Sequence, residues 1–247
     1  MIVLSAGMQK AGTAWYFNLT NDMLIANGHQ DVRRIRTRFH LERFMSADNC
    51  NIGTPRAWKL FLISVPHFLG QTYVIKTHEG PTLGAKAAVK TGQMKATYIF
   101  RDPRDVVVSL FEHGERIRKS KARSATGFDR LETLEAAIEF VRNRLSIWRA
   151  WANVPRVLTV RYEDLQAGPV RECERLARFL GLELSRTQIA EIVDRYDAER
   201  ASAGKAPFPL HFNKGLPGRW QEVLSPAQGR LCQDRFGDSL SEMGYAV

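Results

Sequence analysis

The chain has 247 residues, 44% hydrophobic and 25% charged, with 36 Lys and Arg against 26 Asp and Glu for a net charge of +10. This mix suits a globular protein able to bury a substantial core, and no apolar run approaches the roughly 20 residues that span a bilayer. The positive excess predicts an anionic partner without separating nucleotide, nucleic acid, acidic lipid and acidic substrate.

Met1-Ile2-Val3-Leu4-Ser5-Ala6-Gly7 is too short for a secretory signal and lacks a basic start. Cys50, Cys173 and Cys232 are far apart, with neither a CxxC knuckle nor a disulfide framework, and are expected as small buried side chains. These features predict a cytoplasmic protein. No repeat, low-complexity block or Pro/Gly/Ser-rich linker divides the sequence, so one domain over 1–247 is expected.

Short β-branched and aromatic runs predict strands at Ile2–Leu4, Tyr73–Lys76, Ala96–Phe100 and Val157–Arg161. Trp15, Leu19, Met23 and Ala26 recur at helical spacing, with Gly28 placed to end that helix. Residues 29–72 show weak periodicity and only some helix. Asp102-Pro103 reads as an N-cap followed by proline at the first helical position. The stretch Glu115 to Arg130 is basic and nearly free of apolar residues. It reads either as a mobile surface segment of the lid type or as a plain solvated loop. Leu131, Leu134, Ile138, Val141, Leu145 and Trp148 mark an amphipathic helix that must end before Pro155. Pro169 opens another, carrying Val170, Cys173, Leu176 and Leu180 and stopped at Gly181. Ser185…Gln188 and Ser225…Gln228 both fit a capping box. Strands alternating with helices predict an α/β fold with a central, mostly parallel sheet flanked by helices.

The first strand runs into Gly7-Met8-Gln9-Lys10-Ala11-Gly12-Thr13 and then a helix. Strand, glycine-bearing loop and helix N-terminus together make an anion cradle, because backbone N–H groups and the helix dipole both favour negative charge there. The nucleoside-triphosphate form of this loop is GxxxxGK[ST]. Here Thr13 and Ala14 stand where Lys and Ser/Thr belong, so the loop lacks the hydroxyl that would hold Mg²⁺, and Lys10 supplies the positive charge from within. No metal is expected.

Met8-Gln9-Lys10-Ala11-Gly12-Thr13-Ala14-Trp15 resembles the PKSGTTW loop that holds the 5′-phosphosulfate in sulfotransferases using 3′-phosphoadenosine 5′-phosphosulfate (PAPS). Lys10, Gly12, Thr13 and Trp15 match; Met8-Gln9 and Ala14 depart, and Ala14 removes one hydroxyl contact to the 5′-phosphate. Four further segments follow in the family's order. Lys76-Thr77-His78 is similar to its KTH segment. Arg101, with Ser109 eight residues later, is similar to its 3′-phosphate element. Tyr162-Glu163-Asp164-Leu165 is similar to YEDL, and Lys214-Gly215-Leu216-Pro217-Gly218-Arg219-Trp220 to RKGxxGxW, with Asn213 in place of the usual Arg.

The resemblance implies a P-loop nucleoside-triphosphate-hydrolase-like fold and sulfuryl transfer from PAPS to a hydroxyl or amine of a small molecule, sugar or natural product, leaving adenosine 3′,5′-bisphosphate. It implies that Lys10, Ala11, Gly12, Thr13, Ala14 and Trp15 bind the 5′ end of the co-substrate. Arg101, Ser109, Asn213, Lys214 and Gly215 would bind its 3′-phosphate, with Trp15 and Tyr162 near adenine. Tyr196 is a further adenine candidate from its position before the late loop; a core aromatic is the competing reading. His78 would be the general base, with Glu79 as the alternative, Lys76 would help hold the transferring group, and Lys10 would stabilise the leaving oxygen. Two rivals stand beside this reading. A P-loop kinase or NTPase would use ATP and Mg²⁺, with Asp102 as a metal ligand; Pro103 favours the cap instead. A nucleic-acid binder would draw on the net charge, but no nucleic-acid or membrane-binding motif is present. Acceptor and oligomeric state are not legible.

Overall fold

The computed structural model describes residues 1–120, 127–196 and 215–246. The chain forms two compact units, each built from two stretches: Met1–Phe100 with Ile147–Phe212, and Arg101–Ser146 with Asn213–Val247.

The first unit holds a four-stranded parallel sheet in the order β2-β1-β3-β4. Its strands are β1 (Ile2–Gly7), β2 (Tyr73–Thr77), β3 (Met94–Phe100) and β4 (Val157–Arg161). β1 and β2 are buried at every position, as strands covered on both faces must be, so each opens on a continuous apolar run, Ile2–Leu4 and Tyr73–Ile75, and carries its polar residues toward the carboxyl end. β1 leads into α1 (Thr13–Ala26), most of whose residues are buried, so this helix carries no polar face. Gly28, at φ 87°, turns the chain just past its end.

Residues 29–72 contain α2 (Val32–Arg38), α3 (Ala57–Ile63) and α4 (Val65–Phe68). An unpredicted helix, α5 (Leu83–Lys90), starts where the Thr82 hydroxyl accepts the Ala85 N–H. Around β4 the unit adds α8 (Tyr162–Ala167), α9 (Pro169–Leu180), closed at Gly181 (φ 72°), and α10 (Arg186–Asp194) with the expected capping box at Ser185. Cys50 and Cys173 are buried free thiols here, and Cys232 is one in the second unit. Burial pushes all three up to about 12, out of the reactive range.

The second unit contains α6 (Pro103–Ser120), a 3₁₀ turn at Phe128–Arg130, α11 (Trp220–Val223) and α12 (Pro226–Glu242), whose capping box at Ser225 is also present. Helix α7 (Leu134–Ala152) supplies residues to both units and ends before Pro155 as expected. The stretch from Glu115 to Arg130 is neither wholly loop nor wholly lid. α6 continues through Ser120, and residues 121–126 lie outside the described residues. The helix persists because its polar residues are locally used: the Arg118 guanidinium donates to the carbonyls of Asp129 (2.9 Å) and Leu131 (3.0 Å). Gly114 lets the Phe128 carbonyl approach so closely that a Cβ there would sit 2.4 Å from it.

No helix among the described residues is long and apolar enough to cross a membrane.

Candidate functional site

Strand order reverses at β1, since the chain leaves it for β2 on one side and returns to β3 on the other. In open parallel sheets the crevice outside the carboxyl end of such a strand is where ligands collect. The loop 7–13 lies there. The Met8 N–H donates to the Ile99 carbonyl (2.9 Å), and the Ala11 N–H to that of Met8 (3.2 Å). Lys10 (φ 64°) and Gly12 (φ 75°) both take left-handed backbone, a conformation from which N–H-lined anion concavities are built. Gly12 is required twice over, because a Cβ there would also meet the Tyr162 ring at 2.7 Å. No acidic residue occupies the first turn of α1 and no side chain caps it, so its dipole remains for an incoming anion.

Tyr162, the first residue of α8, is buried against Gly12 and meets Trp15 edge-on, with ring centroids 6.4 Å apart. The two predicted adenine contacts are thus brought together behind the loop. Tyr196 is not among them. Its ring is buried and its hydroxyl donates to Asp22 on α1 (2.9 Å), which makes it a core aromatic holding α1.

His78 follows β2, whose Thr77 stands in register with Ala6 of β1. Its Nδ1 lies 2.8 Å from the Gly7 carbonyl oxygen. A carbonyl can only accept, so Nδ1 carries the proton and Nε2 carries the lone pair, as a general base needs. The turn is fixed in part by two residues the sequence did not single out, Gly53 and Trp151. The Thr77 hydroxyl donates to the Gly53 carbonyl (2.7 Å) and accepts the Glu79 N–H (3.0 Å). The Trp151 indole N–H donates to the Glu79 carbonyl (2.9 Å).

Lys76 is 4% exposed on β2. Burial, and then the charge of Lys10, bring its ammonium down to about 7. A buried lysine repelled by a second, partly exposed one is eased by a nearby anion. A buried lysine whose basicity is lowered in this way marks a candidate anion site.

In the second unit, Arg101 and Ser109 are both buried, Arg101 just ahead of α6 and Ser109 on it. Asp102 has the predicted capping role: it accepts the Arg104 N–H (2.9 Å), and its carboxylate also pairs with the Arg104 guanidinium (2.8 Å). Asn213 and Lys214 lie outside the described residues; Gly215 has φ 68°. The late segment is locked onto α6 by Asp105, another residue the sequence did not single out. Its carboxylate accepts the N–H groups of Gly218 (2.7 Å) and Trp220 (3.0 Å) and pairs with Arg101 (3.3 Å). Arg101 also donates to the Leu216 carbonyl (2.7 Å), and the Arg104 guanidinium lies 4.0 Å from the Trp220 ring centroid. Removing Asp105 takes the carboxylate from the buried Arg101 guanidinium and leaves two N–H groups without their acceptor. Asp105→Ala is therefore expected to destabilise the protein by about 3–5 kcal/mol, read by urea titration, with Asp105→Asn milder.

Among the described residues no group of His, Cys, Asp and Glu has the arrangement of a metal site. A family model described as a sulfotransferase domain matches residues 2–244. Cytosolic sulfotransferase 17 of Arabidopsis thaliana is 29% identical over 177 residues, covering 62% of this chain and 51% of the relative. The luciferin sulfotransferase of Photinus pyralis is 24% identical over 257 residues, covering 98% of this chain and 66% of the relative. The chain thus spans half to two thirds of the length of these relatives. Among solved structures, retinol dehydratase in complex with androsterone and the inactive cofactor PAP superposes with a TM-score of 0.61 at 18% identity, covering 100% of this chain and 82% of that one. A mouse sulfotransferase complexed with PAP gives 0.59 at 20% identity, covering 97% and 84%. These two likenesses bear out the fold.

Proposed function

The chain belongs to the sulfotransferase domain family, and from that premise we propose that it transfers a sulfuryl group from PAPS to a hydroxyl or amine of a small-molecule acceptor, acting as one domain and in the cytosol. The observation that carries this reading is the arrangement at the carboxyl ends of β1 and β2. There a buried lysine of lowered basicity answers the loop lysine, and a histidine is tethered to the loop's first glycine.

Each residue then has a task. The loop amides, Lys10 and the start of α1 hold the phosphosulfate end. Arg101 and Ser109, with Lys214 and Gly215 by resemblance, take the 3′-phosphate. Trp15 and Tyr162 flank the base. His78 Nε2 accepts the acceptor proton as the acceptor oxygen or nitrogen bonds to sulfur and the bond from sulfur to the bridging oxygen breaks. The electron pair stays on that oxygen, which becomes the phosphate of adenosine 3′,5′-bisphosphate, and Lys10 and Lys76 face the growing charge. Such chemistry is mainly positioning and electrostatics.

Calorimetry tests the reading. Adenosine 3′,5′-bisphosphate is expected to bind at least tenfold more tightly than ATP with Mg²⁺; a preference for ATP with Mg²⁺ would overturn the assignment in favour of a P-loop kinase or NTPase. Binding should also weaken as pH rises from 7 to 9, because the complex needs Lys76 protonated and the free protein gives up that proton near pH 7.

A further inference from the structure

The geometry points to an acceptor that is itself an anion: a flat, apolar hydroxy compound carrying a carboxylate or similar group, held by Arg43 and Arg56 against Trp58. The inference rests on the sulfotransferase reading and specifies its second substrate.

A depression of about 470 Å³ is lined by Arg43, Phe44, Thr54, Arg56, Trp58 and Lys59. Its position follows from hydrogen bonds. The segment before α3 runs beside β2: the Lys76 N–H donates to the Cys50 carbonyl (3.2 Å) and the Ile52 N–H to that of Lys76 (2.9 Å). Thr77 donates to the Gly53 carbonyl (2.7 Å), and the Thr82 hydroxyl to that of Pro55 (2.5 Å). The strip 53–55 is therefore laced to the turn that carries His78, and Thr54, within the strip, lines the depression. A ligand resting there lies against a strip that is hydrogen-bonded to the residues flanking His78, and none of the depression's lining comes from the 7–13 loop.

The lining has an unusual chemical balance. It holds three cations and no carboxylate, and no carboxylate pairs with Arg43, Arg56 or Lys59 among the described residues. Lys59 is committed structurally, donating to the Ile52 carbonyl (2.7 Å) with its ammonium 5.9 Å from the Trp58 ring centroid. Arg43 and Arg56 are exposed and make no side-chain hydrogen bond among the described residues, leaving two planar forks suited to a carboxylate. Trp58 is 53% exposed, with Phe44 edge-on at 6.1 Å supporting it from one side. A large aromatic surface left open beside two unpaired guanidinium groups matches a ligand that is apolar across its face and negative at its edge.

The test uses three matched naphthols: 6-hydroxy-2-naphthoic acid, its methyl ester and 2-naphthol. All carry the same ring and nucleophile, and only the first carries a charge. Kd is measured in the presence of adenosine 3′,5′-bisphosphate, and KM in turnover with PAPS. The acid is expected to bind at least tenfold more tightly than either neutral compound at low salt, with the advantage shrinking as salt is added. Arg43→Gln with Arg56→Gln is expected to erase that advantage. The double variant's melting temperature and its Kd for adenosine 3′,5′-bisphosphate serve as folding checks, and the salt dependence of the unaltered protein provides a reading that needs no variant. Equal binding of acid and ester, an advantage that survives the double substitution, or no binding of any naphthol while adenosine 3′,5′-bisphosphate still binds would each overturn the inference. Failure to bind adenosine 3′,5′-bisphosphate at all would instead overturn the parent reading, and this one with it.

Discussion

Replacing His78 by alanine is expected to lower kcat by about 10²- to 10⁴-fold, the usual contribution of a positioned general base, with a far smaller change in Kd for adenosine 3′,5′-bisphosphate. The two effects separate because the imidazole has two distinct jobs. Nδ1–H is used up on the Gly7 carbonyl, which orients the ring and fixes the tautomer. Nε2 takes the proton and has no part in holding the nucleotide product. His78→Gln can keep a hydrogen bond to Gly7 but brings no basic nitrogen, so it should recover the product affinity of the unaltered protein and none of its turnover. Glu79→Gln distinguishes the alternative base. The Glu79 backbone is what the turn uses, its N–H going to Thr77 and its carbonyl to Trp151. Turnover in Glu79→Gln is expected to stay within about tenfold of the unaltered protein, the scale of one perturbed hydrogen bond. Full turnover in His78→Ala together with loss in Glu79→Gln would move the base to Glu79.

What the sequence disclosed and what it withheld divide along physical lines. Strand cores were visible because β-branched and aromatic residues are concentrated in them; strand ends were not. β1 runs to Gly7 rather than Leu4 because Ser5, Ala6 and Gly7 pair with β3, Ser5 and Ala6 also with β2, and none of the three advertises a strand. α5 escaped notice because its apolar face is little more than Ala85 and Val89; the legible cue was Thr82 as its cap. Of the candidate site residues, Lys10, Gly12, Trp15, Lys76, His78 and Tyr162 lie in short motifs and were visible in the sequence, and all six fall within the first unit. Asp105 and Trp151 were not, because each acts on backbone far along the chain, at Gly218 and Trp220 for one and at Glu79 for the other. An acidic residue in the first turn of a helix already has a sufficient local explanation, so nothing in the sequence marks Asp105 as a clamp. Tyr196 failed as an adenine contact for the converse reason. Proximity to a motif along the chain says nothing about which way a ring faces, and this one turns inward to Asp22.

Lys76→Met is expected to abolish turnover and at the same time make the unliganded protein more stable, by roughly 1–4 kcal/mol, as when a buried charge gives way to an apolar side chain of similar length. The sign follows from linkage. Lys76 titrates near 7 when folded and near the ordinary lysine value of 10.5 when unfolded. Between those values the unfolded chain binds the extra proton, so stability rises with pH, at a slope approaching about 1.4 kcal/mol per unit for one proton. Other groups confine the clean window. The Met1 ammonium, also lowered by burial, adds a slope of the same sign below pH 8. The three cysteines, raised to about 12 from 9.0, reverse it once the unfolded thiols begin to ionise. The decisive quantity is therefore the difference in unfolding free energy between the unaltered protein and Lys76→Met, followed from pH 7 to 8.5 by urea titration. That difference should shrink as pH rises, because the unaltered protein sheds the charge that the variant never had. Saturating adenosine 3′,5′-bisphosphate should hold Lys76 protonated through the same range and flatten the slope. A difference independent of pH would mean that Lys76 keeps an ordinary lysine's proton in the folded protein, and the pairing of two repelling ammonium groups could then not be what makes the loop receptive to an anion.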